Sequence, residues 1–250
     1  MTLAKRRFDH DKPIGVFDSG MGGLTVLRAL EAAMPGQGFV YLGDTARLPY
    51  GTKSRGTVKR YALRASRELV NRGVGALVVA CNTASGVALE ALRAEYSDIP
   101  VFGVIEPGAA AACAVPDVRR VAVFATESTV RGQAYQRALL AANPQLIIRA
   151  RACQLLVALA EEGWLTGEVP EGALRRYVAG LLDWQPDVLL LGCTHFPVFR
   201  PALQDLLGDK VTLVDSAATT AAEVVRQLEW QPSETALSTK ESSTRESRHT

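Results

Sequence analysis

This 250-residue chain has little of what marks several large functional classes. It holds three histidines and four cysteines, and no CxxC or HxxxH pair. Neither a structural zinc site of ordinary spacing nor a dithiol redox motif is therefore expected. GxGxxG and GxxxxGK[ST] are both missing, which removes the dinucleotide fingerprint and the P-loop. Charge of one sign is also lacking. The formal balance is +2, and residues 14–230 carry 21 basic and 21 acidic groups. A body so balanced is not built to hold polyanions, so nucleic acid is not an expected partner. No apolar run approaches the length of a membrane span, and the first residues have no stretch resembling a signal peptide. The expectation is a cytoplasmic protein, away from membranes, with reduced thiols.

What is present is a core-forming pattern, with 48% hydrophobic residues. Short apolar runs occur at Ile14–Phe17, Phe39–Leu42, Leu77–Ala80, Val101–Ile105, Val121–Ala125, Leu146–Ile148, Val188–Leu191 and Val211–Val214. Amphipathic stretches such as Thr57–Arg72, Gly86–Tyr96, Val130–Ala142, Glu171–Asp183 and Phe199–Leu207 separate them. Continuous apolar strands alternating with helices predict a doubly wound α/β fold with mainly parallel sheets. One strand runs into Ala80-Cys81-Asn82-Thr83 and another into Gly192-Cys193-Thr194-His195. This echo suggests two related halves facing each other. Residues 1–12 are expected to be a loose extension, and the Ser/Thr-rich stretch 231–250 a disordered polar tail.

Open parallel sheets gather their chemistry beyond the carboxyl ends of their strands. The groups predicted there are Asp18-Ser19-Gly20, Gly43-Asp44, Cys81-Asn82-Thr83, Glu106-Pro107-Gly108 and Cys193-Thr194-His195. Gly20-Met21-Gly22-Gly23 reads either as a tight strand-to-helix turn or as an anion seat made of free N–H groups. Asp18 either caps the following helix or serves Cys81 as a proton acceptor or an anchor for a ligand's amino group. His195 is either a hydrogen-bonded structural group or a neighbour that raises the thiolate fraction of Cys193. Cys113 and Cys153, within apolar surroundings, read as small buried residues. A pyridoxal cofactor would need a buried lysine, and Lys53 is the one candidate in the body.

At these residues the sequence resembles the glutamate racemases, cofactor-independent two-cysteine enzymes of the aspartate/glutamate racemase family. The resemblance is carried by IGVFDSGMGGLTV (14–26), YLGDTARLPYG (41–51), VVACNTAS (78–85), GVIEPG (103–108), ATESTV (125–130), LLLGCTHFP (189–197) and LVDSA (213–217). It implies two pseudo-symmetric α/β domains, 13–106 plus 215–230 and 107–214, with the site in the cleft between them. It also implies that Cys81 and Cys193 are the acid/base pair, Cys81 acting on D-glutamate and Cys193 on L-glutamate. Asp18 then assists the first cysteine and His195 the second, with Glu161, or the adjacent Glu162, close by. Ser19, Tyr50, Gly51, Asn82, Thr83 and Thr194 match positions that hold the substrate, together with Asp18 and His195. No cofactor or metal is implied, and a homodimer supplying D-glutamate for peptidoglycan is. A two-cysteine racemase for aspartate or another small acid, or a non-catalytic partner-binding relative, is the alternative. Two departures stand out. Ser128 replaces a glycine usual in the family, and Gln154 replaces a proline common after Cys153.

Overall fold

The computed structural model describes residues 8–231. Among these, eight strands form two four-stranded sheets, and every strand pairing is parallel. The first sheet contains β1 (Ile14–Asp18), β2 (Phe39–Gly43), β3 (Ala76–Val79) and β4 (Val101–Gly103), in the order β2-β1-β3-β4. The second contains β5 (Arg120–Ala125), β6 (Ile147–Ala152), β7 (Val188–Gly192) and β8 (Thr212–Asp215), in the order β6-β5-β7-β8. The two orders are the same when counted within each sheet. The cysteine-bearing turns thus follow equivalent strands, β3 and β7, and the sequence echo marks a true structural correspondence.

Both faces of each sheet are covered, as continuous apolar strands require. Along β1, Ile14 and Val16 face one core while Phe17 faces the other. Along β7, Leu189 and Leu191 lie in one core, with Val188 and Leu190 in the opposite one. Helices α1 (Leu24–Ala33) and α10 (Ser216–Leu228) cover one face of the first sheet. α2 (Arg55–Asn71) and α3 (Asn82–Glu95) cover its other face. On the second sheet, α4 (Ile105–Cys113) and α6 (Ala134–Ala142) take one side. α7 (Gln154–Glu161), α8 (Glu168–Leu182) and α9 (Arg200–Leu207) take the other. The short α5 (Glu127–Arg131) follows β5. Thus the chain builds the first sheet, crosses through α4, builds the second, and returns from β8 into α10 against α1.

Several expectations need correction. The strand expected over Val101–Ile105 ends at Gly103, because Ile105 already opens α4. The helix expected over Val130–Ala142 is broken at Gly132-Gln133, where Gln133 adopts a left-handed backbone with φ 53°. The loose segment expected over 1–12 does not reach Phe8, which is buried in the core beside α1 and α10. Lys12 is also held, its N–H bonded to the Asp9 carbonyl. The rest of that extension and the tail from 232 onward lie outside the described residues. No helix among the described residues is long and apolar enough to cross a membrane.

Candidate active site

The two sheets point their carboxyl ends at one another, and the polar strand-end groups meet there. A narrow cavity of about 20 Å³ is lined by Ser19, Tyr50, Gly51, Cys81, Asn82, Thr83, Cys193, Thr194 and His195, all expected from the sequence. Leu48, Pro49, Thr126, Gln154 and Val157 complete the lining. A larger groove beside Arg93 and Arg137 contains none of the strand-end cysteines. Among the described residues, no lysine or arginine lines the cysteine pocket, and Lys53 is not part of it. Nor do three His, Cys, Asp or Glu side chains gather there as metal ligands among these residues.

Cys81 leaves β3 and caps α3. Its thiol donates to Ser19 Oγ at 3.4 Å, and its sulfur accepts from the Ala84 N–H at 3.5 Å. Burial, and then the Asp18 charge, push this thiol up to about 12, against the opposing hydrogen bonds from Ser19 and Ala84. Asp18 is fully buried at the end of β1. It does not cap α1, whose cap residue is Gly23. Instead its carboxylate accepts from the Gly20 N–H at 2.9 Å and from Thr194 Oγ1 at 3.4 Å, across the cleft. The anion seat suggested by the glycine turn is therefore filled by the chain's own carboxylate. Burial raises the pKa of Asp18, while the His195 charge and the N–H groups of Gly20, Gly23 and Ser19 oppose the rise.

On the opposite side, Cys193 leaves β7 with its sulfur 3.6 Å from His195 Nδ1. The other ring nitrogen of His195 lies 2.5 Å from Glu161 Oε1. Burial works against a charged imidazole. The hydrogen bond and charge of Cys193, followed by Glu161 and Asp18, overcome it and raise His195 to about 10. His195 thus carries both ring protons at neutral pH, one aimed at each partner. The structure brings Glu161, at the end of α7, to the histidine, and leaves the adjacent Glu162 exposed as the helix cap.

The remaining expected residues divide by what their polar atoms do. The Tyr50 hydroxyl donates to Asp44 Oδ2 at 2.6 Å, so this residue offers the pocket its ring and backbone. Asn82 donates through Nδ2 to Tyr135 at 2.7 Å and to Ser216 at 3.4 Å, while its Oδ1 is buried without a partner. Thr83 Oγ1 lies 2.9 Å from Thr126 Oγ1 and 3.4 Å from Thr129 Oγ1, a threonine seam between the two halves. Glycines allow the close approach. A Cβ on Gly22 would stand 2.7 Å from Thr194 Oγ1 and 2.8 Å from His195 Nδ1. One on Gly51 would stand 2.7 Å from Thr126 Cβ. Thr126, Thr129, Tyr135 and Gln154 were not among the expected site residues. The first two lie within the ATESTV stretch that helped carry the resemblance. For Tyr135, an aromatic within a helix, no local signal existed.

The family model for Asp/Glu/Hydantoin racemase matches residues 14–224. The chain belongs to this racemase family. A glutamate racemase of Geobacter metallireducens is 51% identical over 218 residues, covering 86% of this chain and 80% of that protein. The family fold is equally clear in solved structures. A glutamate racemase isoform from Bacillus anthracis superposes with a TM-score of 0.85 at 35% identity, covering 88% of this chain and 83% of that one. The Francisella tularensis glutamate racemase, solved in complex with D-glutamate, gives 0.82 at 34% identity, with 88% and 81% covered.

Proposed function

We propose that this chain is a cofactor-independent glutamate racemase, with Cys81 and Cys193 as the two acid/base groups. One observation carries the reading: cysteines at equivalent strand ends of two matching sheets line a single pocket, each with its own set of partners. Inverting a stereocentre requires taking a proton from one face and supplying one to the other. The reacting halves are 13–106 plus 215–230 and 107–214, a division supported by α10 packing back on the first sheet.

Cys81 rests as the thiol, and on the other side His195 keeps its proton beside the sulfur of Cys193. Cys193 takes the α-proton of L-glutamate while Cys81 delivers one to the opposite face. The reverse step, on D-glutamate, begins with a Cys81 thiolate. Ser19 and the Ala84 N–H at the start of α3 hold that charge, and Asp18 has the role of accepting the proton that the thiol gives up. A positioned acid or base supplies about 10²–10⁴-fold, or about 3–5 kcal/mol each. The balance comes from fixed neutral donors on the carboxylates in a dry pocket, with Thr83 in that role, since the Asn82 amide and Thr194 hydroxyl protons are already given to Tyr135, Ser216 and Asp18. The unpartnered Oδ1 of Asn82 is suited to an ammonium donor.

Relatives named as glutamate racemases support glutamate as the substrate. The product would feed peptidoglycan synthesis in the cytoplasm, from a homodimeric enzyme. Incubation of the purified chain with L-glutamate in D₂O, without added cofactor, is expected to give the D-isomer with deuterium at Cα. Absence of both inversion and exchange overturns the reading. A larger kcat/KM for aspartate than for glutamate would reassign the substrate.

A further inference from the structure

Gln154 opens α7 directly after Cys153 and lines the cysteine pocket. Its carboxamide oxygen Oε1 is buried there without a hydrogen-bond partner. It lies so close to the first half that a Cβ on Gly51 would stand 2.9 Å from it. Buried polar atoms in native proteins are nearly always paired, so an orphan within a ligand pocket is best explained by a ligand that pairs it. Among the described residues, only five buried side-chain N or O atoms lack a partner, and just two of these, on Asn82 and Gln154, belong to the pocket lining.

We infer that Gln154 is a specificity-determining residue whose carboxamide holds the side-chain carboxylate of the bound amino acid. This inference rests on the racemase reading and extends it. A dicarboxylic amino acid brings two carboxylates into a pocket whose lining offers no Lys or Arg among the described residues. On the second half, His195 is already engaged by Cys193 and Glu161. Neutral donors must therefore hold the carboxylate far from the cysteines. A carboxamide carries two N–H donors and an acceptor on one planar group, and a half-turn about its last bond exchanges them. In that orientation Nε2 takes the buried place and donates to the carboxylate. Gln154 sits on the α7 side, facing the Tyr50-Gly51 turn across the pocket. The amide thus measures side-chain length. Glutamate reaches it, and aspartate, one methylene shorter, does not.

The test is made on the full chain with Gln154→Leu and Gln154→Glu. Leucine keeps the volume and removes an unpaired polar atom, so its Tm should equal or exceed that of the parent. The expected result is a KM for glutamate raised about 10- to 100-fold in both variants, the loss of one hydrogen bond to a charged group. Expected alongside are a kcat changed by less than about threefold, because binding and not proton transfer is removed, and unchanged kinetics with aspartate. Unchanged KM for glutamate, or equal losses for both acids, overturns the inference. Calorimetric Kd values for D-glutamate with parent and variants provide a readout free of turnover. If the parent binds D-glutamate but does not invert it, the racemase reading fails while the Kd ratio still decides the contact. A parent that neither binds nor inverts glutamate overturns both.

Discussion

At the scale of single residues, the site is a set of charges that hold one another in place. His195 is the clearest instance, because its proton is kept against burial by Cys193, Glu161 and Asp18. A histidine raised from about 6.5 to about 10 on folding holds a proton that the unfolded chain releases. Its stabilisation is fully present below about pH 6.5 and is lost as pH rises through about 10. The Cys81 thiol, raised to about 12, extends the same loss to higher pH. The Tm of the parent should therefore fall from pH 7 to pH 10. His195→Asn should flatten that fall while leaving the decline above pH 9 in place. A parent Tm that rises over this range would show that the site does not hold the histidine's proton.

At the scale of elements, helix stability is decided by local propensity and caps as much as by packing. α8 carries Gly172 in its second turn, with nothing within 4 Å of where a Cβ would stand. Gly172→Ala should therefore stabilise the chain by about 0.5–1 kcal/mol, read as an increase in denaturant midpoint at constant m-value. The same scale shows what could be read from the sequence. Strands β1, β3, β5 and β7 were legible because central parallel strands are buried on both faces and read as apolar runs. β6 was seen only at its start. It is an edge strand, and Arg149 and Arg151 interrupt the apolar signal as charges on exposed edges do. α10 was missed since its first turns, Ser216-Ala217-Ala218-Thr219-Thr220, have little apolar contrast; the Asp215 cap, accepting from Ala217 and Ala218, was the available clue. Both cysteines, Asp18 and His195 were legible because turns after strands concentrate polar residues. Tyr135 and Thr129 were not, since their role is a contact with Asn82 or Thr83 more than 40 positions away.

At the scale of the whole molecule, function depends on how closely the two halves meet. Their seam is made of Thr83 with Thr126 and Thr129, of Thr194 with Asp18, and of Thr25 with the Thr194 carbonyl. Gly22 lies within it, at the turn that follows β1, where only a hydrogen fits against Thr194 and His195. Gly22→Ala would put a methyl into that seam. Neither half loses a core residue by this change, since Gly22 belongs to none of the four apolar clusters. The cost to stability should thus be that of local overpacking, about 1–3 kcal/mol. Activity should suffer more. A shift of about 1 Å between an acid and a base that must act on one carbon can cost about 100-fold. Here the methyl displaces the imidazole that supports Cys193, or holds the halves apart. The expected outcome is a retained far-UV circular dichroism spectrum, a modestly lower Tm, and a kcat lower by about 100-fold. Gly172→Ala serves as the matched control, the same chemical change made away from the seam. Equal kcat values for the two alanine variants would mean that the contact between the halves does not set the geometry of the reaction.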